Sequence, residues 1–519
     1  MVYFDVIIVG SGVAGLSAAV SAAEQGLDVC VLTKEKEISE CNTFYAQGGI
    51  VSDGENDSTG LLVKDIMAAG SNINCIGAVR YVAKQGPKTV QEYLIGKAKV
   101  PFCRKEDNSL DWTREAAHSV RRILHAKDES GKAIELGLLS YAEKFKSITF
   151  LNEYVAIDII TNTHHSRRSE ERYRKPRALG VYALDLKKEV VVPLFSGAVI
   201  LAAGGVGNLF QHTSNPKGAV GDGVAMAYRA GAAILNAEFV QFHPTVLFHR
   251  DVKRFLISES LRGEGAKLMN RNGEYFMSRY NQEQKDLAPR DEVARAIYRE
   301  IEMDGNGYVY LDTTCIKDIS LPDRFPAIYT TCKSVGIDIS KEPVPVVPAA
   351  HYFCGGIKVD LSGKTSIKNL YAAGENACTG VHGANRLASV SLLEGLVYGV
   401  HIGKNIKDEI RKPKKELIAS IPEWIYPRAE EDFDPVLINH DMINIQMTMW
   451  NYAGIVRTQK RLTRVRNDLN YLSHRIEQFY KTAKLSRDII ELRNAVVTAG
   501  IIAEAALKNQ TSIGCHYIR

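Results

Sequence analysis

Phe4-Asp-Val-Ile-Ile-Val-Gly10-Ser-Gly-Val-Ala-Gly15 lies almost at the start of the chain. Its first half, Phe4 to Val9, is a short apolar run of β-branched type, the composition of a strand buried in a parallel sheet. Its second half is G-x-G-x-x-G. Gly10 makes the tight turn, Gly12 lets backbone approach a pyrophosphate, and Gly15 lets the next helix pack on the strand. The Ala-rich stretch Leu16 to Gln25 reads as that helix, Gly26 ends it, and Asp28 to Leu32 reads as a second strand. Strand, glycine turn and helix in this order specify a βαβ nucleotide-binding unit, with negative charge favoured at the helix N-terminus. A glycine turn of purely structural origin is the alternative, and the flanking strand and helix argue against it.

Two later segments repeat the strand-to-glycine pattern. Ala198 to Gly205 and Asn369 to Glu375 read as further strands of the same sheet. Between them, the stretch from Glu238 to about Pro348 carries helical and strand-like segments of its own and reads as an inserted domain. Arg411-Lys-Pro-Lys-Lys415 is a charged, proline-broken linker. Beyond it, Leu462, Val465, Leu469, Leu472, Ile476 and Phe479 step by three and four, giving one apolar helix face. Leu492, Val496, Ala499, Ala503 and Ala506 give a second, and an antiparallel helical bundle packed on the body follows. The expected fold is an α/β Rossmann-like domain over 1–237 and 345–415, an inserted α+β domain over 238–344, and a helical bundle over 420–519. The basic cluster in 164–177 reads as a solvated hairpin loop.

Bulk properties narrow the function. A net charge of +5 over 519 residues is small, arguing against a nucleic-acid or polybasic membrane partner while allowing a local cationic pocket. Nine cysteines, an odd number with no CxxC pair, read as reduced cytoplasmic thiols rather than a disulfide framework or a metal site. No uncharged apolar run reaches the roughly 20 residues a membrane span needs, so no integral membrane contact is expected.

The cofactor is read from three separated segments. The second strand ends Val31-Leu-Thr-Lys34 without the usual acidic residue, although Glu35 and Glu37 lie nearby. Asn42-Thr43-Phe44-Tyr45-Ala46-Gln47-Gly48-Gly49 closes on glycines that let a loop lie against a flavin ring. Glu375, after a strand and Ala-Ala-Gly, is placed to bond a ribitol or phosphate region. NAD sites rarely need three such segments, and FAD is favoured.

Four cationic or potentially cationic residues then stand out: His243 in Gln-Phe-His-Pro-Thr, Arg290 in Ala-Pro-Arg-Asp, His351 in Pro-Ala-Ala-His-Tyr, and Arg386 in Gly-Ala-Asn-Arg-Leu. Singly, each has a bland reading as a surface ion pair or a loop histidine. Together they suit a substrate with two carboxylates, since arginine binds each bidentately and histidine adds donors.

On these motifs the chain resembles the L-aspartate oxidase family of the fumarate reductase and succinate dehydrogenase flavoprotein superfamily, over nearly its whole length. The motifs are Ser11-Gly-Val-Ala14, Thr43-Phe-Tyr-Ala-Gln-Gly-Gly49, Thr113-Arg-Glu115, Gln241-Phe-His-Pro-Thr245, Leu261-Arg-Gly-Glu-Gly265, Pro289-Arg-Asp291, His351-Tyr-Phe-Cys-Gly-Gly356, His382-Gly-Ala-Asn-Arg386 and Met449-Trp-Asn-Tyr-Ala-Gly-Ile-Val-Arg457. The resemblance implies a mobile capping domain closing the substrate against FAD. It implies FAD contacts from Ser11 to Ala14, Lys34, Asn42 to Gly49, Val155, Ala156, Asp222, Glu375, Ser391 and Leu392. Arg386 and His351 would hold one carboxylate and His243 with Ser258 the other, with Ser389 also at the substrate. Arg290, paired with Glu259, would relay protons, and Glu115 would orient an amino group.

The implied reaction is oxidation of L-aspartate to iminoaspartate with oxygen or fumarate as acceptor, the first step of quinolinate and NAD biosynthesis, and quinolinate synthase would receive the product. The alternative is a soluble fumarate reductase or succinate dehydrogenase-like subunit. Asn42 stands where many of those proteins carry the histidine that joins FAD covalently, so noncovalent FAD is expected. The chain departs from the family pattern at Ala116, Ala117, Val390 and Ile513.

Overall fold

The computed structural model describes residues 2–305, 307–427 and 434–519. The opening segment folds as read. Strand Val2–Val9 leads through the glycine turn into helix Val13–Glu24 and strand Val29–Thr33. Strand Val2–Val9 lies between Val29–Thr33 and the long strand Val190–Leu201, parallel to both. Every residue from Val6 to Val9 is buried, as a strand covered on both faces requires.

Strand Val190–Leu201 organises the seven-stranded sheet. Its first half pairs antiparallel with Ala178–Asp185, and its last residues pair parallel with Leu370–Ala372. Both late strand-to-glycine segments thus end beside the first glycine turn. A segment with little strand ladder of its own, 162–177, joins Tyr154–Thr161 to Ala178–Asp185.

The insertion forms a separate four-stranded sheet in the order Val240–Leu247, Val344–Phe353, Val309–Asp312, Lys267–Met269. Its second strand runs past the boundary expected at 344. Pro345 and Pro348 disguise it in the sequence, because proline is unusual in an inner strand. Pro348 falls where the pairing with Val240–Leu247 is irregular, between Val347 opposite Val246 and Ala349 opposite His243. An irregularity there removes the need for its missing N–H. The insertion is tied across the cavity by Asp128, whose carboxylate accepts from the backbone N–H groups of Ala327 and Ile328 at 2.9 and 3.0 Å. These open helix Pro326–Ser334, so Asp128 supplies from outside the helix what an N-cap supplies from within.

Helices Pro435–Ala453, Gln459–Thr482 and Arg487–Lys508 make the C-terminal bundle. Asp434, Thr458 and Ser486 cap them with side-chain oxygens. Leu462, Val465, Leu469, Leu472 and Ile476 are buried against Leu492, Val496, Ala499, Ala503 and Ala506, the two faces read from the sequence. The bundle continues into the body through Phe242 and Phe353 of the insertion's sheet. No helix among the described residues is long and apolar enough to cross a membrane.

Candidate active site

One cavity of about 470 Å³ runs from the first glycine turn to the insertion. Every expected site residue except Gly15 lines it. Gly15 lies behind the wall: a Cβ there would sit 2.0 Å from the Gly10 carbonyl oxygen, so it serves helix–strand contact. Gly10 has φ +109°, and a Cβ there would sit 2.1 Å from the Ala202 carbonyl oxygen.

The inner half has the chemistry of a flavin nucleotide cradle. The N-terminus of helix Val13–Glu24 opens into it, and the Thr43 hydroxyl pins the Asn42–Gly49 loop by accepting from the Val13 N–H at 3.0 Å. Asn42 donates to Glu375 Oε2 at 2.9 Å and accepts from Asn215 at 3.2 Å. Glu375 also accepts from the Phe353 N–H at 3.0 Å, and burial pushes its carboxyl up to about 7. Ser11, Val155, Ala156, Asp222, Ser391 and Leu392 complete the walls. A strand-to-helix turn, a glycine-closed loop and a long cavity fit FAD.

The outer half brings together two arginines, two histidines and two carboxylates. His243 is fully buried; its Nδ1 accepts from the Thr245 N–H at 3.2 Å, and its Nε2 has no hydrogen-bond partner among the described residues. Burial, then Arg290 and His351, hold its pKa well below the ordinary value. Its Nε2 is left facing the cavity for a ligand, and it donates there in the tautomer in which Nδ1 accepts from Thr245. The His351 ring stands edge-on to it at 5.0 Å, with Nδ1 2.7 Å from the Ser214 hydroxyl. Burial, Arg386 and Arg290 keep His351 neutral as well.

Arg386 donates to Ser391 at 2.9 Å and rests 4.5 Å from the Tyr352 ring centroid. Its Nε is unpartnered, and no carboxylate pairs with it among the described residues. A buried guanidinium without a counter-ion is costly unless a ligand supplies the negative charge. Arg290 is different: its Nε donates to Glu259 at 2.5 Å and its Nη1 to Gln241 at 3.3 Å.

Sequence reasoning missed Arg262. It is fully buried, 3.7 Å from Glu259, and donates to the Asp286 carbonyl. Glu259 thus lies between two arginines, hydrogen-bonded to Arg290 and in longer ion-pair range of Arg262, which in turn reaches the backbone carbonyl of half-buried Asp286. Burial alone would raise the Glu259 carboxyl, but Arg290 and Arg262 pull it below its usual range. The signal was available: Arg262 lies three residues after Glu259 on helix Glu259–Gly263.

Glu115 follows the short strand Trp112–Thr113 and accepts from Ser389 at 2.6 Å. A Cβ on Gly48 would lie 2.7 Å from Glu115 Oε1, which puts this carboxylate beside the flavin loop. Burial raises the Glu115 carboxyl, Glu259 adds to the rise, and Arg290 and Arg386 oppose it. Ala117 adopts φ +64°, a left-handed conformation unusual for alanine, while Ala116 N–H donates to Glu259 at 3.0 Å. The loop thus keeps Glu115 in the cavity despite both methyl groups. Ser258 lines the cavity, its hydroxyl accepting from the Ser260 N–H at 3.2 Å. Val390 is buried at the start of helix Val390–Asn405, and Ile513 packs against Phe239, Tyr352, Cys354 and Ala384.

Residues 5–392 match the FAD binding domain family, and residues 442–519 match the fumarate reductase flavoprotein C-terminal family. The chain is 42% identical to L-aspartate oxidase of Acinetobacter baylyi, over 99% of this chain and 93% of that protein. It is 38% identical to L-aspartate oxidase of Halobacterium salinarum, over 99% and 96%. The chain belongs to the L-aspartate oxidase family. Its FAD-binding and C-terminal parts share the superfamily fold: a FrdA mutant of E. coli quinol fumarate reductase superposes with a TM-score of 0.89 at 26% identity, covering 100% of this chain and 91% of that one. Within this L-aspartate oxidase family member, the amide of Asn42 and the carboxylate of Glu115 are the features that bear on which superfamily chemistry the site performs.

Proposed function

We propose that the chain oxidises L-aspartate to iminoaspartate, with fumarate or oxygen as the final electron acceptor, supplying the first step of quinolinate and NAD biosynthesis. The carrying observation is the presence in one cavity of a buried Arg386 with no carboxylate in ion-pair range among the described residues and a buried Glu115. The arginine demands a carboxylate, and the glutamate suits the ammonium group that aspartate has and succinate lacks.

Bound FAD supplies a hydride acceptor. The protein supplies orientation and charge. Arg386 and His351 hold one carboxylate; His243, through Nε2, and Ser258 hold the other. Two fixed anchors align the C2–H bond, the kind of orientation that lowers a barrier without chemical participation. Glu115 accepts hydrogen bonds from the ammonium group, and its raised proton affinity suits it to take the proton that group loses. For fumarate, Arg290, hydrogen-bonded to Glu259, delivers the proton to the carbon opposite the one receiving hydride. Arginine alone resists deprotonation, and the Glu259 carboxylate bonded to Arg290 gives its proton a place to go while Arg262 adds positive charge beside the pair.

Asn42 cannot form a covalent flavin link, which favours noncovalent FAD over the covalent pattern of many succinate dehydrogenases. Oxygen as acceptor, transfer of product to quinolinate synthase and a cytoplasmic location belong to the same reading. The test is turnover with L-aspartate against L-asparagine and D-aspartate. L-asparagine lacks one carboxylate and leaves buried donors unpaired, at a cost of about 1–3 kcal/mol per group. Equal rates with L-asparagine would show that the two-anchor site is wrong.

A further inference from the structure

The C-terminal helix Arg487–Lys508 carries a polar stripe at Arg487, Glu491, Asn494 and Thr498, spaced by four, three and four residues. This spacing places all four on one face, and that face packs behind residues that line the cofactor cavity, Lys34, Glu35 and Asp222. Arg487 grips Glu35 with two guanidinium nitrogens, Nη1 at 2.9 Å and Nη2 at 2.5 Å. It also donates to the Lys34 carbonyl at 3.2 Å and to Glu491 at 2.9 Å. Glu491 lies 2.8 Å from the Lys34 ammonium. Asn494 donates to Asp222 at 2.7 Å, and Thr498 donates to the Gly221 carbonyl at 3.1 Å.

The ammonium of Lys34 is saturated by this arrangement. It reaches Asp222 at 2.5 Å, the Gly218 carbonyl at 2.7 Å and Glu491 at 2.8 Å, which uses its three protons. Lys34 is thus a cross-link joining the end of the second strand, the 218–222 turn and the C-terminal helix. The cluster holds two cations, Lys34 and Arg487, and three carboxylates, Glu35, Asp222 and Glu491. A net negative cluster with spare carboxylate lone pairs suits a diol that donates hydrogen bonds and disfavours a phosphate. The end of the second strand is where a dinucleotide fold meets the adenosine ribose.

We propose that this stripe of the C-terminal helix is a clamp for the adenosine half of FAD: Arg487, Glu491 and Asn494 are positioning residues that hold Glu35, Lys34 and Asp222 toward the cofactor. The inference rests on the assignment of Lys34 and Asp222 to the FAD site. Binding of the adenosine half and docking of the C-terminal helix are then linked, each strengthening the other by the same factor.

The test compares FAD with FMN, which lacks the adenosine half. Full-length protein is stripped of flavin, and dissociation constants for both flavins are measured by fluorescence for wild type, Glu491→Gln, Arg487→Met and Asp222→Asn. Glu491→Gln and Arg487→Met should weaken FAD by about tenfold, equivalent to about 1.4 kcal/mol, and leave FMN within about twofold. A variant that merely disturbs the fold would weaken both flavins together, and that result overturns the clamp. Unchanged FAD affinity in Glu491→Gln and Arg487→Met, with a loss in Asp222→Asn, overturns the clamp alone. No change in any variant removes Asp222 from the cofactor site as well. As a reciprocal readout, FAD should protect amides of Arg487–Lys508 from hydrogen exchange more than FMN does, and equal protection contradicts the linkage.

Discussion

Replacing Glu115 by Gln removes one negative charge while keeping the shape of the side chain. The amide oxygen can still accept from Ser389, which lies 2.6 Å from the carboxylate, so the loop need not move. What is lost is a charged acceptor for the substrate ammonium group in a buried site. Charge-assisted hydrogen bonds contribute about 1.5–3 kcal/mol, so kcat/KM for L-aspartate should fall roughly ten- to hundredfold. Fumarate has no ammonium group. Its two carboxylates meet the same arginine and histidines, and removal of a nearby negative charge does not oppose their binding. Fumarate reduction should therefore stay within about threefold of wild type, the size of a ~0.6 kcal/mol indirect effect. The assay follows the two half-reactions separately by anaerobic stopped flow, flavin reduction by L-aspartate and reoxidation by fumarate, at matched flavin content. Equal proportional loss in both half-reactions would refute the amino-group role and leave Glu115 a structural carboxylate.

Arg386→Leu should abolish both half-reactions, because both substrates present a carboxylate to the same guanidinium; retention of either would move the anchor elsewhere. The flavin should be released into the supernatant on acid or heat denaturation, since Asn42 has no nucleophile to hold it; flavin that precipitates with the chain would contradict noncovalent binding. The carboxyl of Glu375 is raised from 4.5 to about 7 in the folded protein. Its folded-state pKa lies above its unfolded value, so its contribution is present below pH 4.5 and is lost as pH rises through 7. In flavin-free protein, Glu375→Gln should gain stability relative to wild type across this window, by about 3 kcal/mol in total. A difference independent of pH in denaturant unfolding would show that Glu375 is not raised.

The glycine turn was legible because strand, turn and helix are contiguous and their residue types leave little choice. The grouping of the cavity's outer residues was legible in a weaker way. His243, Arg290, His351 and Arg386 come from separate elements, and local pattern alone makes each a plausible surface or loop residue; joint occurrence and family resemblance brought them together. Strand Val344–Phe353 was not read as a strand, since Pro345 and Pro348 argue against one, and the pairing irregularity that accommodates Pro348 has no local sequence mark. Arg262 was passed over because an arginine three residues from a glutamate usually signals an exposed helix pair, whereas here both are buried. The C-terminal helix shows both outcomes on one element. Its apolar stripe was read correctly, while Arg487, Glu491 and Asn494 on the polar side resemble a solvated face until the nucleotide-binding loops are seen against them. The contact of Asp128 with helix Pro326–Ser334 spans an insertion and leaves no periodic trace.

The measurement closest to the central claim is anaerobic mixing of the FAD-loaded protein with L-aspartate or succinate, following the flavin's visible absorbance. Arg386 and Glu115 in one cavity predict rapid bleaching by L-aspartate and little or none by succinate at the same concentration. Bleaching by succinate as fast as by L-aspartate, or none by L-aspartate, would contradict an amino-acid oxidase and return the chain to the fumarate reductase-like reading.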